Sequence, residues 1–386
     1  MPVTTLANRR DRTGLVVALI ALAALIFYVG TYLALSHPPR DQYGHVIGRD
    51  FVNTWMGARA VLAGNLHALL NVDLHNQMLT AVLGHMPPHN WSYPPALLLF
   101  IWPLGFLPYM AALAAWSLAG LAAYLGASAT HHRSAKFLLF VAAAPAIAVN
   151  LHSGQTGFFT AAILILFFRF LDERPILAGA LLGVMLCKPH LVVLFPLALA
   201  LSGRWRVFAA ATVTVVVLIA ATALAFGADI WSEYFRLVVP VQRGVLDTGT
   251  GFLSMMPTGF MHARMLGASN ATAWMVQTPF TVLALAAVIW TFAKRRDPLL
   301  SAGVLLTASV VVSPYAFAYD MVVFGWLVAM LWPRLPAWGD RVLLLAVWTL
   351  PVTMLVLGDL MLPAAAPVLA LFLIRLAVLA RPQLPS

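Results

Sequence analysis

The sequence predicts an all-α, polytopic membrane protein: a bundle of about twelve transmembrane helices with a helical first extracytoplasmic loop. Three observations predict it. Of 386 residues, 62% are hydrophobic and 9% charged, a balance foreign to an ordinary soluble domain. The apolar residues are gathered in runs, and the basic residues stand in small groups between those runs. A formal net charge of +10 would suit a polyanionic partner, but nucleic acid needs basic residues clustered on one solvated face. The groups therefore read as topology signals, and no nucleic-acid partner is expected.

The first run, Gly14 to Leu35, follows Arg9, Arg10 and Arg12 and is about 22 residues long. A cleaved signal would find small residues at Ala34-Leu35-Ser36, yet such signals carry an apolar core of only ~7–15 residues, so the run reads as a retained anchor. Further runs fall at 109–127, 136–150, 156–171, 175–187, 189–201, 206–226, 272–293, 299–313, 319–333, 341–358 and 362–380. Several are shorter than the ~20 residues that a straight crossing requires. With the N-terminus in the cytoplasm, the inner loops hold 16 of 23 Lys and Arg, in groups from Arg9 to Arg12, Arg133 to Lys136, Arg169 to Arg174, Arg204 to Arg206, Lys294 to Arg296, Arg334 to Arg341 and Arg375 to Arg381. Eight of 13 acids then lie outside: Asp41, Asp50, Asp73, Asp229, Glu233, Asp247, Asp320 and Asp359. With no fixed-period repeat and no soluble domain, residues 1–386 read as one integral membrane domain. Gly179 and Gly183, in Gly-x-x-x-Gly spacing, permit close helix packing, most simply within the bundle. Cys187 is the single cysteine, so no intramolecular disulfide forms.

Two outer segments are long, 36–108 and 227–271. In the first, Phe51 to Ala63 and Val72 to Leu83 read as short helices stopped by Gly64 and Gly84, and Phe51, Trp55, Leu62 and Leu66 give the first an apolar face for the membrane surface. From Trp91 to Tyr109, four prolines (Pro94, Pro95, Pro103 and Pro108) interrupt an apolar stretch too short to cross. A broken or re-entrant helix is expected there, and irregular backbone at membrane depth implies a cavity beside it. The second outer segment carries Arg236, Arg243, His262 and Arg264 and is placed to cover that cavity.

Three polar clusters fall on the same outer side: Asn150 to Gln155, Lys188-Pro189-His190, and Ser313 to Asp320. The arms flanking Lys188 are about 13 residues each and reach only ~20 Å, which recesses the ammonium below the surface. A cation there is costly unless it meets water or an anion. Asp50, just past the anchor helix, adds a carboxylate at the mouth. Such a set suits joining a hydroxyl to a group carried on a lipid phosphate: the carboxylate takes the proton and cations stabilise the phosphate released.

Asp50-Phe51 after the first span, Tyr93-Pro94-Pro95 with Pro103-Leu104, Gly154-Gln155, Lys188-Pro189 and Ser313-Pro314 together resemble glycosyltransferase family 87, from about residue 48 to residue 333. The resemblance implies the GT-C fold and a polyprenyl-phosphate sugar donor, as in the family's mannosyltransferases. It further implies a metal-independent, inverting transfer to a lipid or glycan hydroxyl on the outer face of a bacterial-type plasma membrane. Asp50 is the residue that matches the family's general base. Lys188, His190, Arg264, His152, Gln155, Tyr93, Tyr319 and Asp320 are the candidates for binding the donor phosphate or substrate. Members often carry His near the last motif, whereas this chain has Tyr315, Tyr319 and Asp320, which leaves the sugar open. No cofactor and no metal are expected, since the outer loops hold no Asp-x-Asp pair and the loop histidines lack metal-ligand spacing.

Each residue also has a plainer role. Asp50 is a good N-cap for the helix at Phe51, or a partner for Arg49. Lys188 can snorkel. His152, Gln155 and His190 can bond loop carbonyls, and Asp320 can cap the helix that follows. A transporter or lipid flippase is the alternative from another class, although transporters set their ionisable groups near the midplane in repeated halves.

Overall fold

The computed structural model describes residues 3–248, 253–294 and 296–380, with side chains from Thr13 onward. Arg295 and Arg381, and the side chains of Arg9, Arg10 and Arg12, all counted in the cytoplasmic set, lie outside the described residues. Among the described residues the fold is helical throughout, with two isolated bridge pairs, His37 with Arg40 and Arg40 with Val46, in place of any sheet.

Five helices are long and apolar enough to cross a membrane: Thr13–Ala34, Tyr109–Ala129, Trp205–Phe226, Asn270–Phe292 and Trp338–Asp359. A sixth crossing results if Ala135–Ala142 and Ala146–Ser153 are taken as one span bent by 49°. Pro145 accounts for the bend, because its ring removes an amide and clashes with the preceding turn. The remaining expected runs are helices of 10–17 residues: Gly157–Phe170, Pro175–Cys187, Pro189–Leu201, Pro298–Val312, Ala318–Leu331 and Ala365–Leu379. The expected dozen thus resolves into five full-length crossings, one bent pair and a set of shorter apolar helices.

The first outer segment forms Phe51–Leu62, a short Leu66–Leu70 helix that the sequence did not announce, and Val72–Leu83. Gly64 and Gly84 lie past two of these ends at φ 64° and 74°, as the glycine stops require. Asn71 caps the third helix, accepting from the amides of Asp73 and Leu74. Trp91 to Phe106 forms the expected broken element, a 3₁₀ turn at Pro95–Leu97, one helical turn at Leu98–Ile101 and a second 3₁₀ turn at Trp102–Phe106. This element folds back over the Phe51–Leu62 helix. A Cβ on Gly57 would stand 2.5 Å from the Trp91 ring, and one on Gly105 would stand 2.8 Å from the Ala58 carbonyl. Phe51 and Trp55 on the apolar face of that helix are therefore covered by protein, not laid on the membrane surface, while Leu62 at its end stays 41% exposed. Phe51 and Trp55 are 0% and 2% exposed, both against Tyr109, and Trp55 Nε1 donates to Leu107 O at 2.9 Å. Burying Phe51 alone is worth about 1.5–3 kcal/mol, which fixes the residue next to Asp50.

The second outer segment runs through Ile230–Glu233, a π-helical turn at Tyr234–Val238 and Val239–Thr248, then Leu253–Met255 and Gly259–Met265.

Candidate active site

The turn Ser153-Gly154-Gln155-Thr156-Gly157 brings two outer loops together. Gly154 sits in the left-handed region at φ 62°, and a Cβ there would stand 2.5 Å from Phe51 Cβ. Only glycine fits both the backbone and the space, and the fit lets Asp50 N donate to Ser153 O at 3.1 Å. On the other side, a Cβ on Gly157 would overlap the Tyr319 carbonyl, so the turn also touches the Ser313 to Asp320 loop. Asn150 Oδ1 accepts from Gly157 N at 3.0 Å and holds the turn closed.

From this hub Gln155 reaches toward Asp50 and Thr156 toward Lys188. Gln155 Nε2 donates to Asp50 Oδ2 at 2.8 Å, and Tyr93 Oη donates to Gln155 Oε1, so the three form one chain that fixes which way the amide points. Burial pushes the Tyr93 hydroxyl well above its usual pKa, with the Asp50 and Asp320 charges acting the same way, and keeps it a donor. Asp50 makes no side-chain cap bond to the Phe51–Leu62 helix. Nor is it the partner of Arg49, whose Nη2 lies 2.8 Å from Asp41 Oδ2. Both plainer roles of Asp50 therefore lapse. Burial raises the pKa of its carboxyl above 3.8, while the Gln155 hydrogen bond and the charges of His89, Lys188 and Arg49 draw it back.

Lys188 is 6% exposed. Its Nζ pairs with Asp320 Oδ1 at 2.5 Å, donates to Thr156 Oγ1 at 3.2 Å and lies 4.7 Å from the centre of the Tyr319 ring. An ammonium has three donors, so one remains. Asp320 serves both roles weighed for it: Oδ2 accepts from Phe317 N at 3.1 Å at the start of its helix, while Oδ1 holds Lys188. His190 Nε2 stands 3.7 Å from Asp320 Oδ2, and its ring meets Tyr315 edge to face.

These groups surround a cavity of about 210 Å³ lined by Tyr93, Gln155, Lys188, His190, Tyr315 and Tyr319, with Tyr234 and Gln242 from the second outer segment. The cavity lies beside the proline-broken element, where it was expected. Seven of the nine candidate residues meet here or one hydrogen bond away: Asp50, Tyr93, Gln155, Lys188, His190, Tyr319 and Asp320. His152 and Arg264 do not. His152 Nδ1 bonds Tyr28 Oη at 2.7 Å and its ring packs on Tyr32, against the first span. Arg264 donates to the carbonyls of Ala268 and Asp247 and holds the second outer segment together. Sequence reasoning passed over Thr156, Tyr234 and Gln242. Thr156 follows Gln155 directly and could have been read with it; the other two carry no signal beyond lying in the segment expected to cover the cavity. Among the described residues, no three His, Cys, Asp or Glu side chains converge as a metal-ligand set.

A helical membrane protein whose aromatic cavity is lined by a buried ammonium and by an amide bonded to a carboxylate has the makings of a membrane-embedded group-transfer enzyme. The chain belongs to glycosyltransferase family 87, whose family model matches residues 91–314. It is thus a glycosyltransferase, with a sugar donor and an acceptor as substrates, and the GT-C fold is consistent with that membership. The match spans Tyr93-Pro94-Pro95, Gly154-Gln155, Lys188-Pro189 and Ser313-Pro314, while Asp50 lies ahead of it. No curated protein and no solved structure matches the chain.

Proposed function

We propose that the protein moves a sugar, mannose or another hexose or pentose, from a polyprenyl monophosphate to a lipid or glycan hydroxyl at the outer face of a plasma membrane. The observation that carries this reading is that Tyr93 and Gln155 line one cavity with Lys188, and that Gln155 bonds the Asp50 carboxylate. Asp50 is the carboxylate at the site left without a cation, since Asp320 is paired with Lys188. In the reaction, Asp50 takes the proton of the acceptor hydroxyl as its oxygen bonds the anomeric carbon. The bond from that carbon to the phosphate oxygen breaks, its electron pair leaves with the polyprenyl phosphate, and the remaining Lys188 donor with His190 meets the new charge. One base on one face gives a single displacement and inversion. The polyprenyl phosphate leaves as a dianion, and the Lys188 ammonium is the cation placed to offset its added charge.

In this reading the N-terminus is cytoplasmic, as the excess of Lys and Arg in the inner loops suggests, and the ion pairs agree with the grouping of loops by side. Arg169 pairs with Glu173, Arg204 with Asp172, Arg334 with Asp297 and Arg375 with Asp340, all within the proposed inner set. Arg49 with Asp41, Lys188 with Asp320 and Arg236 with Glu233 lie within the outer set. In this reading the shorter helices complete about twelve passes by tilting and packing on the long ones, and 91–109 is re-entrant.

The test is transfer from radiolabelled polyprenyl-phosphate sugars to membrane lipids by purified protein. The native chain transfers sugar, and Asp50→Asn keeps the native melting temperature but loses about 10²–10⁴-fold in rate. Equal rates would remove Asp50 from the mechanism.

A further inference from the structure

Gln242 is half-buried, and one end of its amide is unused. It lies on the Val239–Thr248 helix of the second outer segment and lines the cavity. Tyr315 Oη donates to its Oε1 at 2.6 Å, which fixes the carboxamide, while Nε2 is buried and has no hydrogen-bond partner. His190 Nε2, on a ring that packs against Tyr315, is also buried without one, its 3.7 Å approach to Asp320 being too long for a hydrogen bond. A buried donor left unmade costs about 1–3 kcal/mol, so the unpartnered Gln242 nitrogen, on a residue that lines the cavity, is left for an acceptor that arrives.

The cavity describes that acceptor. Its 210 Å³ equals about seven waters at ~30 Å³ each, room for one sugar ring and its hydroxyls. Tyr234, Tyr315, Phe317 and Tyr319 supply ring faces, with Phe317 and Tyr319 stacked 4.9 Å apart, against which the C–H face of a sugar can lie. The π-helical turn Tyr234–Val238 leads into the helix that presents Gln242, and such turns recur where a helix is shaped for function.

Building on the donor site proposed above, we infer that Gln242 is a specificity-determining residue: held by Tyr315, its amide donates to a hydroxyl of the single donor sugar and sets which sugar is accepted. A donor whose hydroxyl at that position is missing or inverted leaves Nε2 unpaired again. Discrimination of roughly 5- to 150-fold follows.

The test measures binding of polyprenyl phosphate bearing mannose, glucose, galactose or arabinose, and of bare polyprenyl phosphate, to the full chain in nanodiscs. The native protein binds one of the glycosylated lipids most tightly. In Gln242→Met, of similar shape but without hydrogen bonds, that lipid weakens by roughly 5- to 150-fold while bare lipid changes little, so the ranking collapses. Gln242→Glu keeps an oxygen for Tyr315 but has no N–H, and collapses the ranking too, which separates hydroxyl reading from packing. If either variant folds and retains the native ranking, this inference is overturned. If the native protein binds glycosylated lipids no better than bare lipid, the donor site itself is wrong.

Discussion

Two carboxylates lie within the influence of Lys188, and their partners give them different work. Asp320 uses both oxygens, one on the ammonium and one on an amide, whereas Asp50 has only the Gln155 donor. The rate profile should report this. Burial raises the Asp50 pKa and the Gln155 hydrogen bond lowers it by favouring the ionised form. Activity needs the ionised base, so kcat/KM falls as pH drops through an acid limb lying above the ordinary 3.8. Gln155→Leu removes a lowering influence and moves that limb to higher pH; a limb that stays put would show that Gln155 does not tune the base. Lys188 gives a second measurement. Lys188→Met strands Asp320 as a buried unpaired charge and should cost about 3–5 kcal/mol of stability, whereas Lys188→Met with Asp320→Asn regains much of the melting temperature without regaining transfer. Which residue types gather at the candidate site was legible in the sequence, because a carboxylate, an ammonium and amides outside a membrane span are costly without purpose. Their partners were not. Lys188 and Asp320 are far apart in the chain and meet only when the bundle forms, and Gln242 looks like any loop glutamine until its one free nitrogen is seen to be buried.

At the scale of elements, glycine and proline punctuation carried most of the foresight. It placed the ends of Phe51–Leu62 and Val72–Leu83 to within a residue, the break from 91 to 109, and the cavity beside it. It did not foretell the bend at Pro145, because the apolar run continues through it. Nor could an apolar face say whether lipid or protein would cover it, since Phe51 and Trp55 suit either. Gly179 and Gly183 show the same ambiguity resolved. Cβ atoms there would stand 2.4 Å from Val207 O and 2.5 Å from Thr214 Cβ, so this motif seats the Pro175–Val184 helix on Trp205–Phe226 inside the bundle. Gly183→Leu is expected to force these helices apart and cost about 1–3 kcal/mol, read as a lower melting temperature in detergent. Gly126→Ala, where a Cβ meets nothing within 4 Å, should leave it unchanged or slightly raised. Equal melting temperatures for both variants would mean the close approach is not needed.

For the whole molecule, the question is which way the bundle faces, because the proposed donor, a sugar on a lipid phosphate, is reached from one leaflet only. The basic groups orient the chain by their number, and the ion pairs make a separate argument. Of the seven Lys or Arg pairs named above, the four that join separate loops, Lys188 with Asp320, Arg204 with Asp172, Arg334 with Asp297 and Arg375 with Asp340, each link two residues assigned to the same side, although that assignment was made from loop charges alone. A span miscounted between two loops would reverse the later assignments and place some partners on opposite sides of a ~30 Å core, which no side chain bridges. The pairing therefore constrains the order of the loops, and the excess of Lys and Arg fixes the sense. Cys187 is the only cysteine, so a Cys187→Ala background lets single reporters be read cleanly. Asp73 and Arg133 are both exposed, in the first outer segment and in a proposed inner loop. A membrane-impermeant maleimide applied to intact cells should label Asp73→Cys and spare Arg133→Cys until the membrane is opened. The reverse pattern would turn the bundle over, carry Asp50 and the cavity to the cytoplasm, and require a donor lipid presented on the inner leaflet.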